Sequence, residues 1–159
     1  KKVCEIANDN AIGQVIVSGE TKSVQMFQAI LKKNNIKSIP LKVSAPFHCS
    51  LMQSAADVMK SKIYETNFNP PNIDIVSNVT AKPERNVQNI KKLLIDQIFS
   101  TVRWRESLIT MFNSDVKNFI EIGPGKVLTG LVKRTLTDSK SFSINSIADI
   151  KNLKDEFKQ

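Results

Sequence analysis

Short runs rich in β-branched residues alternate with amphipathic helical patterns along this chain, and this alternation limits the fold more than any other feature. One such run, residues 14–18, is apolar and lies between two glycines. A helical pattern follows it, with Val24, Phe27, Ile30 and Leu31 on one face. Alternation of this kind is typical of α/β folds with a largely parallel sheet. The 159 residues are enough to bury a core.

The pattern predicts five strands and six helices. The strands are expected at residues 14–18, 36–43, 73–77, 117–121 and 141–144. The helices are expected at residues 21–34, 49–66, 87–99, 104–112, 127–136 and 147–157. The first 40 or so residues therefore form a β-α-β unit, whose return strand can be parallel or antiparallel.

The net charge of +8, from 23 Lys and Arg against 15 Asp and Glu, indicates an anionic partner. Nucleic acid, a phosphorylated cofactor and an acidic carrier protein all fit, and a lysine-rich genome would raise the charge without any function. Trp104 and Tyr64 are the only residues of their types. Platforms for base stacking are therefore scarce, which argues against nucleic acid.

No apolar run approaches the roughly 20 residues that span a bilayer, and no signal peptide pattern opens the chain. The two cysteines, Cys4 and Cys49, have neither the spacing of a metal pair nor that of a disulfide framework. A reducing, cytoplasmic setting is therefore expected, with no membrane partner and no bound metal.

The only histidine, His48, lies in Val-Ser-Ala-Pro-Phe-His-Cys-Ser-Leu-Met, residues 43–52. Imidazole is the side chain that exchanges protons near neutral pH without special tuning. Pro46 fixes the local backbone, and a predicted helix begins at Cys49. Position alone favours an ordinary surface or core histidine, whereas a junction between strand and helix also suits a base that faces a cleft.

A second distinctive segment, residues 119–131, reads Phe-Ile-Glu-Ile-Gly-Pro-Gly-Lys-Val-Leu-Thr-Gly-Leu. A strand leads through a glycine turn directly into a helix, whose N-terminus could attract a phosphate. The spacing does not fit a known phosphate loop, since Lys126 precedes Val127 instead of Ser or Thr. Leu128 occupies the place of the third glycine of a dinucleotide fingerprint. Alone, this segment predicts a structural turn.

Five segments in order resemble the malonyl-CoA:acyl carrier protein transacylases of fatty acid synthesis, over residues 4–148. Ala-Pro-Phe-His (45–48) and Glu-Ile-Gly-Pro-Gly-Lys-Val-Leu-Thr-Gly-Leu (121–131) carry most of the resemblance. The others are Asn-Asp-Asn-Ala-Ile-Gly-Gln-Val-Ile-Val-Ser-Gly (8–19), Val-Ser-Asn-Val (76–79) and Gln-Ile-Phe-Ser-Thr-Val-Arg-Trp (97–104).

The resemblance implies transfer of a malonyl group from malonyl-CoA to the phosphopantetheine thiol of acyl carrier protein, with no bound cofactor. In the family a serine attacks the thioester and a histidine, matched by His48, acts as general base. A main-chain carbonyl, matched by that of Gln97, orients the imidazole. Phe47 corresponds to a position associated with malonyl preference, although core packing explains it equally well. Asn8 and Asn10 resemble residues at the edge of the cleft, and turn formation is the simpler explanation.

The same resemblance implies that residues 1–43 are part of a ferredoxin-like small lobe. Residues 44–159 then form the C-terminal part of an α/β-hydrolase-like core, and the imidazole and the glycine turn are expected at one catalytic mouth. The family's Gly-His-Ser-Leu-Gly elbow, its Gln-Gly-x-Gly oxyanion segment and its carboxylate-binding arginine have no match here. The chain thus resembles the C-terminal half of proteins of roughly 300 residues.

Two expectations follow from the missing elements. The chain alone should form no acyl-enzyme, and apolar edges of a half-sheet should favour self-association. The alternative function is a non-catalytic binding or scaffold module that keeps the fold.

Overall fold

The computed structural model describes residues 2–157, which form six helices and three pairs of strands. The predicted α/β class is confirmed. The strands are β1 (Cys4–Ala11), β2 (Gln14–Gly19), β3 (Ile75–Val76), β4 (Pro83–Glu84), β5 (Asn118–Ile122) and β6 (Lys140–Ile144). The helices are α1 (Thr21–Lys33), α2 (Gln53–Glu65), α3 (Val87–Asp96), α4 (Trp104–Asn113), α5 (Val127–Thr135) and α6 (Ile147–Glu156), and a 3₁₀ helix (Ser50–Met52) precedes α2.

The chain opens with an antiparallel hairpin of β1 and β2, and the sequence pattern did not predict its first strand. The register between the two strands shifts twice, which is the mark of β-bulges. The bulges disturb the two-residue alternation by which β1 could have been recognised. Gly13, in the connecting turn, has φ +75°, a conformation that favours glycine.

The strand predicted at residues 36–43 is wrong. This segment is irregular, and its apolar side chains are exposed by more than half. A strand forms only where a neighbour takes up its backbone hydrogen bonds, and none of the described strands pairs with this segment. The preceding helix α1 ends as predicted at the two asparagines, with Asn35 in a left-handed conformation.

The predicted parallel sheet is represented by β5 and β6, which pair in parallel from Asn118–Lys140 to Ile122–Ile144. The other two pairs within residues 2–157 are antiparallel, so the expectation of a mostly parallel sheet is corrected there. Helix α5 connects β5 to β6 and packs on both, because parallel neighbours need a crossover of this kind.

The core lies where α4 and α5 pack together. Leu108, Val132 and Leu136 form its buried centre. Trp104, Met111, Phe112 and Phe119 pack against that centre. Helix α4 also contacts β1, so the hairpin is attached to this core.

Among the described residues, none of the helices is both long enough and apolar enough to cross a bilayer.

Candidate active site

His48 occupies a tight turn that leads into the 3₁₀ helix. Its φ is +58°, which places a residue other than glycine in the left-handed region. Such a conformation persists only where the surroundings hold it, and Asn35, Ala81 and Asp115 also adopt it in this chain. The imidazole is half-buried, while Phe47 before it is 46% exposed. Phe47 is therefore not a core residue.

The imidazole of His48 forms a hydrogen bond to the main chain of Gln97, with 2.9 Å between Nδ1 and the carbonyl oxygen. A carbonyl oxygen only accepts, so Nδ1 carries the hydrogen in this contact. In the neutral ring the Nε2 lone pair is then left to take a proton. This contact joins two segments that are 49 residues apart.

The Gln97 carbonyl is available to His48 because Gln97 caps the C-terminus of α3. The last carbonyls of a helix have no partner within the helix and accept from other groups. The side chain of Gln97 is also held, since Nδ2 of Asn78 donates to its Oε1 over 3.3 Å. The carbonyl of Asn78 accepts from the backbone N–H of Arg103 at 2.9 Å. Sequence patterns gave no indication of the role of Asn78 in this link.

Further contacts hold the turn of His48 itself. Cys49 is fully buried, and its Sγ lies 3.2 Å from the Pro46 carbonyl oxygen, to which it donates. Ser50 donates twice to the Glu5 carboxylate, from its backbone N–H at 2.8 Å and from its hydroxyl at 2.6 Å. Glu5 lies on β1, and no sequence motif points to it.

The two predicted cleft residues, Asn8 and Asn10, lie within β1, so they do not form the turn that precedes β2. Asn8 is bridged to Val102 in a parallel arrangement. Between them Asp9 binds Arg105 of α4 through two nitrogen atoms, with a shortest distance of 2.6 Å. This ion pair fixes β1 on α4 and was not predicted.

The contacts of the glycine turn, residues 123–125, and of the helix start that follows it are made with neighbouring parts of the fold. The carboxylate of Glu121 accepts from the backbone N–H groups of Leu128 and Thr129, and from the Thr129 hydroxyl at 2.7 Å. It thereby occupies the N-terminus of α5 that a phosphate would need. Gly123 and Gly125 donate to Ile144 and Asn145 respectively, and neither bond involves His48. That the His48 imidazole and the glycine turn lie at one catalytic site therefore stays a prediction.

We expect the stabilising effect of Glu121 to depend on pH. The pKa of its carboxyl lies below the usual value, chiefly because the Thr129 N–H stabilises the ionised form. A lowered pKa contributes stability above the unfolded pKa of about 4.3, and this contribution is lost as the pH falls through the folded pKa. The variant Glu121→Gln should therefore unfold at a lower temperature than the wild type at pH 7, and the gap should narrow by pH 3.

The measurement is the thermal unfolding midpoint at both pH values. Glu65→Gln, which removes an exposed carboxyl from α2, serves as the control. A gap for Glu121→Gln that is the same at pH 7 and pH 3 would contradict the expectation.

Within residues 2–157 no three His, Cys, Asp or Glu side chains are grouped so that they could hold a metal ion.

Comparison with known proteins gives one consistent result. The family model described as acyl transferase domain matches residues 3–159. The malonyl CoA-acyl carrier protein transacylase of Bacillus subtilis is 39% identical over 142 residues, which are 89% of this chain and 45% of that protein. The chain spans about half the length of the curated relatives it matches.

Solved structures agree with this result. An acyl-carrier-protein S-malonyltransferase from Bartonella henselae matches with a TM-score of 0.93 at 37% identity, over 99% of this chain and 50% of that one. A type II PKS acyl-carrier protein in complex with its malonyl-transacylase matches with a TM-score of 0.91 at 34% identity, over 97% of this chain and 50% of that one.

Proposed function

The chain belongs to the acyl transferase domain family, and on this basis we propose that it supplies the general base for malonyl transfer from malonyl-CoA to the phosphopantetheine thiol of acyl carrier protein. The observation that carries the proposal is the hydrogen bond from Nδ1 of His48 to the Gln97 carbonyl. A neutral carbonyl fixes the ring and its tautomer, which is the orienting role that aspartate has in other hydrolases and transferases.

The proposed reaction has two steps. A serine hydroxyl attacks the thioester carbon, Nε2 of His48 takes the hydroxyl proton, and the proton passes to the departing CoA sulfur as the carbon–sulfur bond breaks. The carrier thiol then attacks the acyl-serine, with Nε2 taking the thiol proton and returning it to the serine oxygen. None of the chain's serines lies in a Gly-x-Ser-x-Gly sequence, so the nucleophile in this proposal belongs to the part of the family's length that this chain does not span.

The proposed partner is acyl carrier protein. The net charge of +8 suits an acidic carrier and the phosphates of CoA. One of the matched structures holds an acyl-carrier protein in complex with its malonyl-transacylase.

We assign acyl selectivity to Phe47. Asn8 and Asn10 are assigned to the edge of the substrate cleft. The Phe47 ring is 46% exposed beside His48, where it could fill the space that an α-methyl group needs. The ratio of malonyl to methylmalonyl transfer in a Phe47→Ser variant tests this role. Residues 1–43 remain assigned to a small ferredoxin-like lobe and residues 44–159 to the core.

A chimera tests the proposed function. In it, this chain replaces the matched segment of the Bacillus subtilis relative, so that the remaining segment of that protein supplies the rest of the site. We expect the chimera to transfer labelled malonyl groups from CoA to acyl carrier protein. The isolated chain should form no covalent malonyl adduct.

A correctly folded chimera without transferase activity would contradict the proposal and favour the alternative of a non-catalytic binding module. A stable adduct on the isolated chain would contradict the assignment of the nucleophile.

A further inference from the structure

The turn that carries His48 is anchored from a distant strand. Ser50 begins the 3₁₀ helix, and the first N–H groups of a helix lack acceptors within it. The Glu5 carboxylate of β1, 45 residues earlier, accepts both the Ser50 N–H at 2.8 Å and the Ser50 hydroxyl at 2.6 Å. Because the acceptor is a carboxylate, these bonds are stronger than those between neutral groups.

The same strand also holds the segment that bears the Gln97 carbonyl. Val102, five residues after Gln97, donates to the Ala7 carbonyl at 2.8 Å and accepts from the Asp9 N–H at 2.9 Å. The Thr101 hydroxyl donates to the Ile6 carbonyl at 2.6 Å. Residues 5–9 of β1 therefore fix both ends of the hydrogen bond between His48 and Gln97.

From this arrangement we infer that Glu5 is a positioning residue for the His48 imidazole. The left-handed backbone of His48 costs free energy, so the turn keeps its shape only while its flanking contacts hold. The contact between Cys49 and Pro46 closes the turn internally, whereas the bonds from Ser50 to Glu5 fix the turn relative to β1. Loss of Glu5 frees the imidazole to leave the Gln97 carbonyl.

The test reads the tautomer of the imidazole in the isolated chain, where His48 is the only histidine and its signals need no further assignment. Long-range ¹H–¹⁵N correlation of the neutral imidazole should show Nδ1 protonated in the wild type. In Glu5→Ala this preference should be largely lost. Glu5→Gln should retain it, because the amide oxygen accepts from the Ser50 N–H and the amide nitrogen donates to the Ser50 hydroxyl.

Two further variants complete the set. Ser50→Ala keeps the bond from its backbone N–H to Glu5 and should show an intermediate loss of the tautomer preference. If Glu5→Ala does not fold, the Ser50→Ala result tests the inference in its place. Glu65→Ala, which removes an exposed carboxylate that pairs with Lys62 on α2, is the matched control and should resemble the wild type.

A second test measures malonyl transfer by the chimera, and its interpretation rests on the proposed function. Glu5→Ala should lower kcat about 10- to 100-fold with little change in KM, since misplacement of a catalytic group by about 1 Å has effects of this size. Loss of the tautomer preference together with kcat supports both the inference and the base role. Loss of the tautomer preference without loss of kcat supports the positioning of His48 by Glu5. It contradicts the role of His48 as the general base. An unchanged tautomer in Glu5→Ala and Ser50→Ala overturns the inference, whatever the rates.

Discussion

Replacing His48 by asparagine should lower malonyl transfer by the chimera about 10²- to 10⁴-fold, the usual contribution of a general base. The amide of asparagine cannot take up a proton at neutral pH, so serine and thiol would attack without assistance. Asparagine is the suitable replacement because it tolerates the left-handed backbone that His48 adopts, with φ at +58°. Alanine at this position would mix the loss of the base with backbone strain.

The measurement is the steady-state rate of transfer to acyl carrier protein, with circular dichroism as a check on the fold. Asp115→Asn is the matched control, because Asp115 also has a left-handed backbone, with φ at +65°, and its side chain is 99% exposed. This control should keep the wild-type rate. A His48→Asn chimera that folds and retains more than about a tenth of the activity would contradict the base role.

Replacing Leu108 by alanine should destabilise the isolated chain by about 2–5 kcal/mol, the range for leucine removed from a packed core. The Leu108 side chain is fully buried and belongs to one apolar cluster with Val132 and Leu136. Truncation removes apolar contacts and leaves a cavity that the α4–α5 packing can close only in part.

Urea denaturation followed by circular dichroism measures the change in the free energy of unfolding. Leu41→Ala is the matched control, since it makes the same chemical change at a side chain that is 57% exposed. It should shift the free energy of unfolding by no more than about 0.5 kcal/mol. Equal effects of the two substitutions would show that α4 and α5 do not form the stabilising core.

Helix α1 and strand β6 are among the elements whose type and approximate bounds local pattern predicted correctly. Helix α1 ends at the two asparagines as predicted, although Ile30 of its predicted apolar face is 56% exposed, and β6 spans the predicted segment 141–144. The segment at residues 36–43 has strand-forming composition, yet a strand requires a partner that composition cannot supply. The β1 strand was missed because its bulges interrupt the alternation that reveals a strand.

The candidate site was accessible from sequence only in part. His48 is conspicuous as the only histidine, but its partner is a backbone carbonyl, which every residue has and which no residue type reveals. The resemblance to a family, and not the residue pattern, led to Gln97. The bonds from Ser50 to Glu5 were not predicted, because Glu5 lies 45 residues before Ser50 in the sequence. Local capping rules consider only residues next to the start of a helix.

The tautomer of His48 in the unmodified chain tests the central claim most directly, since that claim requires a ring held at Nδ1 with Nε2 open to take a proton. A long-range ¹H–¹⁵N spectrum of the neutral imidazole should show hydrogen on Nδ1 and a bare Nε2. A spectrum with the hydrogen on Nε2 would mean that the ring does not donate to the Gln97 carbonyl, and would contradict the account of His48 as the base.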